Sequence, residues 1–266
     1  MKAYSHAAEF SAIPRAHAPE LIAFLDEVTA RNERSKRRTY DALALEPGMS
    51  VLDVGCGTGD DVRRLYAIVG PSGRAAGVDF SEEMVEEARA RAGDLPVQFL
   101  AADAQALPFA DCEFDALRAE RTLQHVAKPE AAIAEFYRVL KPGGRATIID
   151  QDWETFVVAG ADKNLTRKIL NHFTDGFANG WAGRNTAALL RRQGFDGVDV
   201  VTQGGFMEFE FAYKMLLRQG AMNAAAAGAV SQHDAEAWLA ELQQSAAGQE
   251  FLAFATTFFV TAVKRT

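Results

Sequence analysis

The densest chemistry in this chain lies in Val51-Leu52-Asp53-Val54-Gly55-Cys56-Gly57-Thr58-Gly59. A short apolar run carries one carboxylate and then breaks into a Gly-x-Gly-x-Gly turn. Glycine lets the backbone turn sharply and lets a ligand lie against it, because no Cβ stands in the way. Further acids follow at the ends of apolar runs: Asp79, Asp103, and the pair Asp150 and Asp152. Paired carboxylates suit magnesium, but no further ligands of such a site are evident, so no metal is expected. His125 is a candidate general base, since imidazole titrates near neutral pH. The other reading of His125 is a ring hydrogen-bonded within a helix start.

The turn discriminates between ligands by charge. A dinucleotide fingerprint, Gly-x-Gly-x-x-Gly, seats a pyrophosphate on a helix N-terminus. Counted from Gly55, its third glycine falls at position 60, where Asp60 stands with Asp61 beside it. Two carboxylates complement the helix dipole and would repel a pyrophosphate. S-adenosylmethionine (SAM) has no phosphate and carries a sulfonium and an ammonium, so acids are compatible with it.

These residues need a scaffold that brings strand ends together. After the turn, apolar Val62, Leu65, Tyr66, Ile68 and Val69 follow a helical repeat, giving strand, glycine turn and helix. Strands are expected at 75–78, 97–101, 114–119 and 146–150, with Ser81 capping a helix that opens on Glu82 and Glu83. A helix over 129–140 carries Ile133, Phe136, Tyr137 and Leu140 on one side, and Lys141-Pro142-Gly143-Gly144 breaks it. Strands alternating with helices at this spacing give a parallel sheet covered on both faces. Upstream, Pro19 opens a helix over 20–43 on which Leu21, Phe24, Leu25 and Val28 share a face. Downstream, helices are expected at 186–193, 213–226 and 234–244, a strand at 198–201, and a helix end running into a seventh strand over 251–264.

By Gly144 the chain resembles the class I SAM-dependent methyltransferases. Within them it is similar to the small-molecule group of ubiquinone and menaquinone biosynthesis enzymes and many natural-product methyltransferases, which would place it in secondary metabolism. The resemblance rests on 51–59, Gly77-Val78-Asp79-Phe80-Ser81, Ala102-Asp103-Ala104 with Leu107-Pro108-Phe109, Phe114-Asp115, and Arg138-Val139-Leu140-Lys141-Pro142-Gly143-Gly144. It implies an α/β fold: a doubly wound, seven-stranded, mostly parallel Rossmann-like sheet with helical lid insertions. It also implies roles. Gly55, Gly57 and Gly59 lie against the methionine portion of SAM, with Asp53 near its ammonium. Asp79 accepts the ribose hydroxyls, Phe80 and Met84 pack on adenine, and Asp103 and the Ala104 amide read the adenine edge. For Asp79 and Asp103 a helix or turn cap is the structural alternative. Arg121, in the segment after the fourth strand, lines the cofactor. Asp152, Trp153, Phe177 and Trp181 line an acceptor pocket.

The whole chain, 1–266, is expected to form a single domain, with lid and acceptor-site elements at 1–20, 151–183 and 206–248. Hydrophobic content of 48% and a net charge of -8 fit a globular protein and argue against a nucleic-acid partner. The basic cluster Arg31, Arg34, Lys36, Arg37 and Arg38 is taken as the solvated face of one helix. Two cysteines, one of them inside the glycine turn, point to a reducing compartment, and no signal or membrane segment is evident, so a cytoplasmic protein is expected. The partner is a small-molecule acceptor, and a homodimer is left open. The rival functions are an NAD-dependent oxidoreductase, disfavoured by Asp60, and a non-catalytic SAM-binding module of the same fold.

Overall fold

The computed structural model describes residues 22, 26, 33–159 and 162–266. The chain runs through α1 (Glu33–Ala42), β1 (Ser50–Val54), α2 (Asp60–Val69), β2 (Arg74–Asp79), α3 (Glu82–Ala92), β3 (Gln98–Ala101) and β4 (Phe114–Glu120). A 3-10 turn (Leu123–His125) leads to α4 (Pro129–Val139), β5 (Leu140–Val158), α5 (Lys163–Asp175), α6 (Ala182–Gln193) and β6 (Phe195–Phe206). The remainder is α7 (Phe209–Ala212), a π-helical turn (Tyr213–Leu217), α8 (Arg218–Ala226), α9 (Gln232–Ala247) and β7 (Ala253–Lys264).

One seven-stranded sheet has the order β3-β2-β1-β4-β5-β7-β6. Strands β1 to β5 are parallel, and β7 runs antiparallel to both β5 and β6. The carboxyl ends of the parallel strands therefore share one edge, and the strand order reverses between β1 and β4. Such a reversal opens the crevice in which doubly wound sheets bind ligands.

Side chains alternate across the sheet with the period of two that a strand imposes. Leu52 and Val54 join Val78, Leu117, Ile148, Ile133 and Phe136 on one face. Val51 joins Ala75, Ala116, Phe99, Leu65 and Val85 on the other. Burial on both faces explains why β1 is almost continuously apolar.

A third apolar cluster lies beyond the sheet edge. Trp153 and Phe156 from β5 and Ala253 and Ala255 from β7 meet Ile169, Phe173, Ala221, Trp238 and Leu242 from the helices. The fifth strand thus runs on past the expected end at 150 to Val158, and α5 supplies the helix within 151–183 before the loop that leads to α6. The cause is β7, which pairs with β5 through Asp152 and again at Val157 and Val158 across an irregularity. The stretch 251–264 has no helical start. Its threonines and aromatics suit a pleated, half-buried strand, and β7 takes all of them from Ala253 to Lys264. Strand β6 is likewise longer than 198–201, because β7 gives it partners from Phe195 to Phe206. Helix is already present at Phe209, ahead of the 213–226 span. Residues 22 and 26 are helical, as expected of 20–43, whereas Leu21, Phe24, Leu25, Val28 and the 1–20 lid element lie outside the described residues.

Trp238 is 1% exposed and donates its Nε1–H to Thr166 Oγ1 at 2.9 Å, joining α9 to α5. Trp238→Ala should cost about 3–5 kcal/mol in urea unfolding, as a large buried truncation does. SAM affinity of the folded variant should stay within about twofold, since distant sites add independently. A collapse of SAM affinity would show that the helical layer and the sheet edge are not separately supported.

Candidate functional site

All three glycines of the turn adopt left-handed backbone, with φ of 76° at Gly55, 51° at Gly57 and 74° at Gly59. The Gly55 and Cys56 amides donate to Val78 O at 2.7 and 2.9 Å, which locks the turn against β2. A Cβ on Gly55 would lie 2.2 Å from Thr122 Oγ1, which itself donates to Val54 O at 2.9 Å. A Cβ on Gly59 would meet the Phe99 ring at 2.6 Å. Two of the glycines are therefore demanded by the protein's own packing, independently of any ligand.

Asp79 ends β2 and reaches back to the turn. Its carboxylate accepts from the Gly57 amide at 2.8 Å and the Ser81 amide at 2.9 Å, and burial pushes its pKa up. Next to it the Phe80 ring is 69% exposed at the same edge. Met84, by contrast, is buried beneath α3, whose N-terminus Ser81 caps by accepting from the Met84 amide at 3.3 Å. Asp103 is partly exposed and accepts from the Gln105 amide at 2.8 Å, beside buried Ala104. The donor set fits SAM: acceptor carboxylates at two strand ends, an exposed aromatic face between them, and a glycine turn.

Asp53 is placed differently. It is 1% exposed, and Arg118 Nη1 from the middle of β4 donates to its Oδ1 at 3.1 Å. Arg118 is itself 1% exposed and binds Thr39 Oγ1 at 3.0 Å through Nε, pairs with Asp61 at 3.2 Å, and pairs with Glu120. Lys36 and the Tyr40 hydroxyl, both from α1, also donate to Asp61. Burial pulls Asp61 upward, but Arg118 and Lys36 outweigh it and hold its pKa low; Asp53 goes the other way, because its burial outweighs Arg118. Lys36 is thus a core cation, 3% exposed, and not part of a solvated basic face, while Arg37 and Arg38 are exposed. Asp60 is paired as well, with Arg63 at 3.2 Å and Arg64 at 2.9 Å. Both helix-start acids are neutralised, so their repulsion of a pyrophosphate is weaker than the bare sequence implies.

The segment after β4 completes the edge. Arg121 sits at φ 53° and its amide donates to Ile149 O at 2.7 Å. Left-handed backbone in a non-glycine residue costs roughly 1–2 kcal/mol, so the turn is over-determined by its surroundings. Asp150 Oδ2 and Oδ1 accept from the Leu123 and Gln124 amides at 3.2 and 3.3 Å and hold the 3-10 turn. Gln124 was not singled out from the sequence, though it is 4% exposed and receives the Trp153 indole N–H on its Oε1 at 3.0 Å. Trp153 stacks on Phe177 at 4.5 Å, and Phe177 packs on His125 at 5.9 Å. Trp153, Phe177 and His125 are thereby brought together. Burial and nearby Arg121 push the His125 pKa down to about 4, although the residue as a whole is exposed.

Asp152 and Trp181 fall in a neighbouring group. Arg184 grips Asp152 through two nitrogens, one at 2.7 Å, reaches Glu154 at 3.1 Å, and stacks over Trp181 at 5.0 Å. Trp181 is 47% exposed and lines an open cleft of about 290 Å³ with Phe177, Asn179, Glu154 and Asp175.

Removing Arg118 would leave Asp53, Asp61 and Glu120 buried against Lys36, so Arg118→Ala should destabilise the protein by about 3–5 kcal/mol in denaturant unfolding. Asp150 gives a second expectation. Burial pushes its pKa up to about 8, above the 3.8 of an ordinary aspartate. The folded protein then holds a proton that the unfolded chain has lost, and stability falls as pH rises between those values, by at most about 1.4 kcal/mol per pH unit. Asp150→Asn should flatten that slope in unfolding titrations at stepped pH. An unchanged slope would assign the dependence to another group.

Residues 51–144 match the family model described as Methyltransferase domain. The chain is 37% identical over 250 residues to an uncharacterised protein of transposon TN4556 from Streptomyces fradiae, covering 92% of this chain and 71% of that protein. It is 40% identical over 119 residues to the ubiquinone/menaquinone biosynthesis C-methyltransferase UbiE of Ectopseudomonas mendocina, covering 43% of this chain and 46% of that enzyme. This match spans about half the length of that relative. Among solved structures, phosphoethanolamine N-methyltransferase 2 of Haemonchus contortus in complex with SAM superposes with a TM-score of 0.62 at 18% identity, covering 98% of this chain and 60% of that one. The chain belongs to the class I SAM-dependent methyltransferases.

Proposed function

We propose that this methyltransferase acts on a small acceptor with an apolar or aromatic body, held beside the 3-10 turn after β4. The observation that carries this reading is the His125–Phe177–Trp153 wall at the same strand edge as the glycine turn and Asp79. SAM, when bound, supplies a methyl group on a sulfonium that is already a good leaving group. The chain's own residues then have two tasks: to align the acceptor with that methyl in line, and to exclude water. Asp79 offers a charge-assisted acceptor to the ribose hydroxyls, and the exposed Phe80 ring offers stacking area to the adenine. Asp103 and the Ala104 amide serve the adenine edge. Glu120 and Arg121 flank the methionine end.

The helical layer of α5 and α7–α9, together with the Phe177–Trp181 loop, serves as the acceptor-side wall. The two named enzymes differ in the atom they methylate, carbon for UbiE and nitrogen for the phosphoethanolamine enzyme, so the acceptor atom is left to experiment. The NAD-dependent oxidoreductase is not favoured, since the family model and the relatives are methyltransferases. Among the described residues no helix is long and apolar enough to cross a membrane.

Isothermal titration should show saturable SAM binding, and a panel of phenols, amines and quinols should include acceptors that release S-adenosylhomocysteine. No SAM binding would sink the reading, and binding without turnover on any acceptor would support the non-catalytic module. Asp79→Ala should weaken SAM by about 1.5–3 kcal/mol, the worth of hydrogen bonds to a charged group. Trp181→Ala removes an exposed ring from the cleft. It should raise the acceptor KM while SAM affinity stays near wild type.

A further inference from the structure

The side chains around His125 fix which of its nitrogens carries the proton. An indole N–H is a donor only. Trp153 Nε1 points at Gln124 Oε1 at 3.0 Å, so that end of the amide is the oxygen. The other end, the NH2 group, is therefore the one that lies 2.9 Å from His125 Nε2. An amide NH2 only donates, so Nε2 must accept, and the proton of the neutral ring sits on Nδ1. The amide has no freedom to turn over: flipped, it would set an NH2 against the Trp153 N–H. Its backbone is held too, with the Gln124 N–H on Asp150 and the Gln124 carbonyl receiving the Asn179 amide at 3.0 Å.

The chain Trp153 to Gln124 to His125 thus occupies the nitrogen a general base would use. Among the described residues, nothing takes the Nδ1–H. The charged group bearing on the ring is Arg121, just past the end of β4; Asp150, which accepts from the backbone of the same turn, is held protonated by its burial. Both a proton on Nε2 and a second positive charge beside Arg121 are disfavoured.

We infer that His125 is a neutral hydrogen-bond donor through Nδ1, that it grips a hydroxyl or carbonyl oxygen of the methyl acceptor, and that Gln124 and Trp153 are the residues that position it. This rests on the methyltransferase reading above and names the acceptor class: an oxygenated aromatic or apolar molecule, anchored through that oxygen without losing a proton to His125. The Phe177 ring, shared between His125 and the cleft, supplies the apolar contact for the rest of that molecule.

Long-range 1H–15N spectra of the labelled full-length chain test the first part. The His125 proton is expected on Nδ1 at neutral pH. In Gln124→Glu the carboxylate accepts from both Trp153 and the imidazole, so the proton should move to Nε2 and the pKa should rise by roughly a unit or more. Trp153→Phe keeps the stack but deletes the fixing donor, and should give a mixture of tautomers. A wild-type proton on Nε2, or a Gln124→Glu spectrum unchanged from wild type, overturns the inference.

The acceptor class is tested with 1-naphthol and naphthalene, titrated into protein saturated with S-adenosylhomocysteine. The naphthol should bind roughly tenfold tighter, the net worth of one hydrogen bond, and His125→Phe should abolish the preference. Equal affinities, no binding of either, or a preference that survives His125→Phe overturns the acceptor class. Failure of the methyltransferase reading shows separately, as absent SAM binding with the tautomer result intact.

Discussion

A guanidinium buried in the middle of a parallel strand is the constraint on which the cofactor edge depends. Arg118 touches β1 through Asp53, α2 through Asp61, α1 through Thr39 and the Tyr40 ring, and the end of its own strand through Glu120. Its fixed fork suits several acceptors at once, which a lysine's point charge does not. Such a cluster adds little net stability over an apolar core of the same shape, yet losing one member strands the others as uncompensated charge. Its effect is positional. It sets the glycine turn, the start of α2 and the exit of β4 in one mutual arrangement, and those three pieces frame the cofactor crevice.

On the other flank, β5 does comparable work for the acceptor side. Asp150 holds the 3-10 turn by its backbone, and Trp153 holds it by the Gln124 side chain. The Trp153 amide donates to Gly180 O at 3.0 Å, and Asn179 Nδ2 donates to Leu123 O at 3.1 Å. Strand, turn and the Phe177–Trp181 loop are stitched together by donors whose partners leave little choice. A site organised this way is rigid before any ligand arrives, which is what alignment for an in-line displacement requires.

The parallel half of the sheet was legible in the sequence because its signals are local. Apolar runs, glycine turns and capping residues sit within a few positions of each other, and β1 to β4 fall where they were expected. What the sequence hid depends on partners far along the chain. Strand β5 lengthens past Asp150, and 251–264 forsakes its helical start, because each strand supplies the other's hydrogen bonds across more than ninety intervening residues. At the site, the same distinction separates Asp79 from Asp53. Both end or interrupt apolar strands, but only the three-dimensional neighbourhood shows that Asp53 already has Arg118. An arginine inside an apolar strand, together with Lys36 in a basic cluster, was the available hint that buried acids needed counter-charges.

The position of β7 in the sheet has a consequence for how the protein is made. It lies between β5 and β6, and it is β6's one neighbour among the described residues. Yet α7, α8 and α9 are all synthesised after β6 and before β7. While the ribosome works through that stretch, the nascent chain carries two unsatisfied strand edges and a helical layer still lacking Ala253 and Ala255. Open edges of this kind are templates for pairing with the wrong chain. Emergence of β7 fills the gap between β5 and β6 and completes the helical core at once, so the interval between the synthesis of β6 and that of β7 is one in which those edges stand open.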